Sequence, residues 1–275
     1  MAVEAFAPAK VNLALHVVGQ RKDGYHLLDS LVGFADLGDR ITVVPARQTS
    51  LRVTGPEADD ISTGPENMVL RAAVLAGAPP VAITLEKHLP VAAGIGGGSS
   101  DAAAVLRAVS VLTGRPAPDD LLSLGADVPV CLAARPARMR GVGDVLTPLP
   151  GLPALAAVLV NPRVAVPTSR VFRNLARHDN PPMPETIPDF ANAAELADWL
   201  AAQRNDLQST AIGLQPVIGE VLAEIDAVPK CLLARMSGSG ATCFGLFRDG
   251  HAADLAAAML RRARPDWWVQ ACRIS

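Results

Sequence analysis

Gly94, Gly96, Gly97 and Gly98, followed at once by Ser99 and Ser100, are the residues of this chain whose types and spacing most plainly offer chemistry. Glycines without Cβ let backbone NH groups close on a ligand and accept positive φ, and a helix beginning beyond them adds NH donors and the positive end of its dipole. Such a loop suits an anion, phosphate above all. The two hydroxyls can cap the helix, meet a phosphate oxygen, or approach a metal ion that bridges phosphates. A glycine turn with a serine cap is the plain alternative. Two familiar glycine loops fit poorly. A P-loop needs Lys and then Ser or Thr after its last glycine, but Ser99 follows Gly98 and no Lys occurs between Lys87 and Lys230. A dinucleotide fingerprint needs a third glycine where Ser99 stands, and an acidic strand end about 20 positions on, where this chain reads RPAPDD, a turn.

Elements on both sides must hold that loop. Val81–Glu86 alternates as a strand, and an Ala/Val/Leu-rich run from near Asp101 to about Thr113, closed by Gly114 and Pro116, reads as a helix. Earlier, 5–18 reads as a strand interrupted at Pro8, an edge or bulge, beyond which Lys10 and Asn12 share a face if the strand is regular. Asp23-Gly24 marks a turn before Tyr25, the single tyrosine, and His26. A strand then covers 28–44, 51–63 reads as loop, and 67–76 as a short helix. A helical piece at 119–124 leads to Asp127, an N-cap with Pro129 in the first turn; a cap and a catalytic base are not exclusive. PLPGLP at 148–153 is the best linker, followed by a strand at 155–160. Residues 174–191 read as a surface excursion, 193–203 and 214–226 as helices, and Ser237–Gly240 as a turn before a strand at 241–247. A helix at 251–263 and a strand near 268 close the chain.

Composition narrows the class. The 275 residues allow one large domain or two ordinary ones. Half are hydrophobic and 19% charged, as in a soluble globular chain. A net charge of −2 without a basic run argues against nucleic acid as a main partner. Cys131, Cys231, Cys243 and Cys272 lack C-x-x-C spacing and read as free thiols of a reducing compartment, and no histidine falls at zinc-ligand spacing with them. With no signal-peptide pattern and no apolar run of membrane length, a cytoplasmic protein without a membrane partner is expected, as monomer or weak homodimer.

PVAAGIGGGSSDAA at 90–103 resembles the phosphate-binding motif of the GHMP kinases, which act on galactose, homoserine, mevalonate and phosphomevalonate. APAKVNLALHV at 7–17 and MSGSGATCFGLF at 236–247 are similar to two further blocks of that family. QRKDGYHLLDSL at 20–31 and LGADVPVCL at 124–132 resemble the branch whose substrate is an alcohol linked to cytidine diphosphate. The resemblance implies an α+β fold of two domains. An ATP-binding mixed α/β domain would span 1–150 and a ferredoxin-like domain 151–275, with the site in the cleft between them.

It implies ATP binding by Pro90, Val91, Ala92, Ala93, Gly94, Ile95, Gly96, Gly97, Gly98, Ser99 and Ser100, the phosphates lying on 94–100, with Asn67 and Lys87 on the adenine side and Mg²⁺ nearest Ser99 or Ser100. It also makes Asp127 the base on the accepting hydroxyl, with Lys10 beside it. Asn12, Tyr25 and His26 would then hold the substrate, with Phe172 a second aromatic wall for the cytosine and Thr168 close by. Each has a plain alternative: a surface lysine, a loop tyrosine and histidine, a core Phe, a helix-start Asn, a strand-end Lys. The activity implied is phosphorylation of the C2 hydroxyl of a methylerythritol unit in non-mevalonate isoprenoid synthesis. Other small-alcohol kinases of the family, or a nucleotide-binding protein without catalysis, are the alternatives. The second glycine stretch, 237–240, would pack on the first.

Overall fold

The computed structural model describes residues 1–59, 61–149 and 151–275. Asp60, in the loop-like stretch 51–63, and Pro150, in the expected linker and at the expected domain boundary, lie outside the described residues. In chain order the elements are β1 (Val3–Gln20), β2 (His26–Pro45), β3 (Ser50–Thr54), α1 (Met68–Leu75), β4 (Val81–Glu86), α2 (Gly97–Thr113), a 3-10 turn at Leu121–Ser123, and α3 (Val128–Ala133). There follow β5 (Ala137–Gly141), β6 (Val145–Pro148), β7 (Leu155–Asn161), α4 (Thr168–Arg173), α5 (Ala193–Ala201), α6 (Gln208–Leu214), α7 (Val217–Asp226), β8 (Leu233–Met236), β9 (Cys243–Phe247), α8 (Gly250–Ala263) and β10 (Trp268–Ile274).

Residues 1–10, 37–91 and 96–134 form one compact unit. β4 alternates strictly, so Val81, Ile83 and Leu85 point inward. It pairs antiparallel with the C-terminal half of β2, from Arg40↔Glu86 to Pro45↔Val81, and parallel with β3, from Ser50↔Ala82 to Thr54↔Glu86. Its inward residues pack with Ile41, Val43, Val69 and Ala72, and with Ala102, Ala104 and Leu106 of α2. The alanines keep that helix face short, which lets neighbours approach it closely. α2 ends where Gly114 takes a left-handed φ of 70°.

Residues 11–36, 92–95 and 135–275 form the second unit. All seven residues of β7 are buried, and LAAVLVN reads accordingly as a near-continuous apolar run. β10 and β9 flank it antiparallel, β8 lies outside β9, and Ile274 reaches Ala35 of β2. The N-terminal half of β2 pairs with β5, and β5 with β6. On α8, capped by the Asp249 side chain, Ala253, Ala256, Ala257 and Leu260 recur at helical spacing and pack with Ile218, Val221 and Ile225 of α7.

Several local expectations change. β1 runs unbroken through Pro8; Gly38 of β2 makes room, since a Cβ there would strike the Ala7 carbonyl. The first part of the expected loop is strand β3, supplied with partners by β4. Helix α2 begins at Gly97, four residues before the expected start, and α6 adds a helix between the two expected ones. The excursion 174–191 is fastened rather than loose. Leu175 and Met183 are buried, Asp29 accepts from the Met183 NH at 2.8 Å, and Arg138 donates to the carbonyls of Met183, Pro184 and Glu185.

Candidate functional site

The strand–loop–helix order around residues 86–100 is realised, and its glycines have identifiable reasons. Gly94 and Gly96 take φ of 73° and 67°, where residues with a Cβ are strained. A Cβ on Gly94 would lie 2.6 Å from the carbonyl oxygens of Ser237 and Gly240, so the second glycine stretch does pack on the first. Ser237 Oγ donates to Gly94 O at 3.0 Å, and the Thr242 NH donates to Ala93 O at 3.1 Å. Gly96 stands as the cap of α2 and Gly97–Ser100 form its first turn, whose NH groups and dipole favour an anion. The serines do not cap. Ser100 is fully buried and spends its hydroxyl proton on the Pro8 carbonyl at 2.7 Å, whereas Ser99 stays half-buried. Of the two, Ser99 is the hydroxyl that a ligand can reach.

Lys10, buried on β1, donates to Asp127 at 2.8 Å. Asp127 occupies the cap position of α3, yet its carboxylate bonds no helix NH; it is turned to the ammonium and remains about a third exposed at 34%. One helical turn on, burial and then the Asp127 charge push the Cys131 thiol up to about 12. Cys131 is therefore an inert neighbour.

Lys87 is held by two acidic side chains. Its ammonium is buried between two carboxylates, Asp39 at 2.5 Å and Asp101 at 2.9 Å, and a Cβ on Gly97 would lie 3.6 Å from it. Asp39 also accepts from the NH groups of His88 and Leu89. Burial works against the Lys87 charge, but Asp101 and Asp39 outweigh it and raise its pKa. Burial raises Asp101 despite Lys87, and its Oδ1 has no partner. Neither Asp39 nor Asp101 was foreseen, because positions 39, 87 and 101 share no local spacing. Asn67 acts as the α1 cap: its Oδ1 accepts from the Val69 NH and its Nδ2 donates to Ser62 O.

In the other unit, Asn12 donates through Nδ2 to Ser30 Oγ at 2.8 Å, and its NH meets Ser237 Oγ at 3.0 Å. Its Oδ1 is buried and unpartnered, an acceptor awaiting a donor. His26 stacks on Phe172 with centroids 4.8 Å apart and planes at 25°. Its Nε2 lies 2.9 Å from Nδ1 of His178, a residue of the polar excursion that carried no sequence signal. Burial first, then His178, lowers the His26 pKa. Tyr25, adjacent in sequence, stays 63% exposed, and Thr168 meets Ser239 through their hydroxyls at 2.8 Å.

Comparison with known proteins identifies the family. Residues 67–147 match the model of the GHMP kinase N-terminal domain and 183–266 that of the GHMP kinase C-terminal domain. The 4-diphosphocytidyl-2-C-methyl-D-erythritol kinase of Dinoroseobacter shibae is 60% identical over 97% of this chain and 93% of its own length. The enzyme of the same name from Cereibacter sphaeroides is 58% identical over 99% of both. A crystal structure of 4-(cytidine 5'-diphospho)-2C-methyl-D-erythritol kinase superposes with a TM-score of 0.78 at 38% identity, covering 99% of each chain. Homoserine kinase from Cytophaga hutchinsonii, at 20% identity and TM-score 0.63 over 98% of this chain and 94% of its own, shares the fold. With both domain models matched and near-complete relatives at such identity, this chain belongs to the GHMP kinase family.

Proposed function

We propose that this chain transfers the γ-phosphoryl group of ATP to the 2-hydroxyl of 4-diphosphocytidyl-2-C-methyl-D-erythritol, releasing the 2-phosphate and ADP, in non-mevalonate isoprenoid synthesis. The observation that carries the substrate is the likeness, at 58–60% identity over nearly the full length, to enzymes of that name. Geometry supports the chemistry. Asp127 accepts the proton of the attacking hydroxyl while Lys10 holds the carboxylate in place. The loop NH groups at the start of α2 receive phosphate oxygens, and transfer is mainly in-line placement and charge stabilisation. The open Oδ1 of Asn12 suits a substrate hydroxyl, and the His26–Phe172 stack suits the cytosine, with Tyr25 free to cover the base.

Mg²⁺ fits this donor set as a companion of the nucleotide. Among the described residues no three His, Cys, Asp or Glu side chains could hold a metal, and Asp101, the acidic residue that follows the loop in sequence, is engaged by Lys87. An ion that keeps its waters and binds through substrate phosphates needs little more than the Ser99 hydroxyl. When bound it would neutralise charge on the transferring phosphoryl group. Among the described residues no helix is long and apolar enough to cross a membrane. We place the reaction in the cytoplasm, on a small-molecule substrate without nucleic acid, by a monomer or weak homodimer.

A coupled ADP-release assay with ATP, Mg²⁺ and the CDP-linked alcohol tests the reading, beside homoserine and mevalonate. Turnover of the CDP-linked alcohol alone is expected. Turnover of homoserine or mevalonate instead would keep the kinase and discard the cytidine site.

A further inference from the structure

The proposed reaction makes no use of His178, yet its ring is the hydrogen-bond partner of His26. The two imidazoles meet Nε2 to Nδ1 at 2.9 Å, with centroids 4.9 Å apart and planes at 35°. Both are half-buried, and the opposite constraint on His26 is its stack on Phe172. One face and one nitrogen of His26 are thus occupied, and Nδ1 is the ring nitrogen left for a base.

We propose that His178 is a positioning residue for pyrimidine specificity: by bonding His26 Nε2 it fixes the ring's orientation and tautomer, and so decides what Nδ1 offers the base. The proposal rests on the cytidine reading above. In a neutral pair one proton lies between the rings, and its owner determines whether His26 Nδ1 is an acceptor or an N–H donor. Cytosine and uracil differ in just this respect, N3 being an acceptor in one and an N–H donor in the other. A ring held in a single tautomer distinguishes them. A ring free to turn over presents either nitrogen in either state.

The surrounding charges leave His178 as the group that matters to His26. Arg177 and Asp179, which flank His178, pair with each other at 3.0 Å. Asp23, before Tyr25, is bonded to Arg21 at 2.6 Å, and Arg170 and Arg173 are the charged residues of the helix carrying Phe172. Burial and the His178 charge both hold His26 below the ordinary imidazole range. Removing His178 removes the second cause, so His26 in the variant gains its proton at higher pH.

Calorimetric binding of CDP and UDP to wild type, His178→Ala and His178→Asn, from about pH 5 to 8, tests this, with steady-state kinetics alongside. His178→Ala is expected to weaken CDP binding about tenfold, the scale of one lost hydrogen bond and its orientation. Its preference for CDP over UDP shrinks, and the loss falls on KM for the CDP-linked substrate rather than on kcat or on KM for ATP. His178→Asn, whose amide can stand in for Nδ1, recovers most of the affinity while the acid limb of CDP binding moves to higher pH. Variants that match wild type in affinity, CDP/UDP ratio and acid limb overturn the proposal. The Asn variant alone decides if the Ala variant unfolds, since an unmoved acid limb there is enough to reject it. Wild type that binds neither nucleotide overturns the cytidine reading, and this inference with it.

Discussion

Asp127 stands where a helix cap belongs and does not cap, which separates its proposed chemical role from its structural one. Asp127→Asn keeps the size and the backbone at the start of α3 but cannot take a proton, and its amide cannot pair with Lys10 as a carboxylate does. The expected loss in kcat is about 10²–10⁴-fold, with the thermal midpoint close to wild type, read by ADP release and a melting curve. Asp101 gives the opposite case, a buried carboxyl that bears on stability. Burial raises its carboxyl above the ordinary value of 3.8, so the folded chain keeps a proton that the unfolded chain has released above that pH. Stability attributable to this residue therefore weakens as pH rises past 3.8 toward the raised value. Asp101→Asn should flatten that slope in urea unfolding series at several pH values, and an unchanged slope would sink the assignment. Lys87→Met, which leaves the Asp39 carboxylate buried without its cation, is expected to cost about 3–5 kcal/mol in the same measurement near neutral pH. Lys10 and Asp127 were legible because each stands in a motif. Asp39 was not, since its partners His88, Leu89 and Lys87 lie some fifty positions away and meet it only in the fold.

At the scale of elements, the loop between β4 and α2 depends on glycine for two different reasons. Gly96 needs its left-handed φ as the residue on which α2 starts; Gly94 needs both a positive φ and empty space, because the second glycine stretch presses on it. Gly94→Ala is expected to lower the thermal midpoint and raise KM for ATP together, as backbone carbonyls of Ser237 and Gly240 cannot step aside as a flexible side chain would. An alanine variant with wild-type melting and wild-type KM for ATP would show that the two loops do not brace each other. The sequence made β4, α2 and α8 legible because alternation and helical spacing are local signals. β5, β6 and β8 are four or five residues long, too short for a period to show, and depend on their neighbours in the sheet. His178 sits in a stretch without helix or strand, where a polar run gives no hint that one ring is taken up by His26.

At the scale of the whole molecule, compact packing does not follow a single cut in the sequence. Each compact unit takes residues from more than one stretch of chain: 11–36 and 92–95 belong with 135–275, although the glycine loop, Lys10 and Asp127 all precede residue 135. The dependence is specific. Asp29 on β2 is 2% exposed and is satisfied by Arg138 and the Met183 NH, and Arg235, buried on β8, donates to Leu13 O as well as to Leu200 O and Gln203 O. A chain cut at 150 would leave Leu13 O without that donor and Asp29 without Met183, and would strip β2 of β10 and the apolar residues of 11–36 of β7 to β9. A fragment of residues 1–150 is therefore expected not to fold by itself, despite carrying the nucleotide motif. Circular dichroism and limited proteolysis should find it unstructured, with protection returning when 151–275 is supplied as a second chain. A fragment that melts cooperatively and binds ATP alone would instead establish a self-sufficient N-terminal domain, and the ties through Arg138, Met183 and Arg235 would then be embellishments of a fold that the first 150 residues already determine.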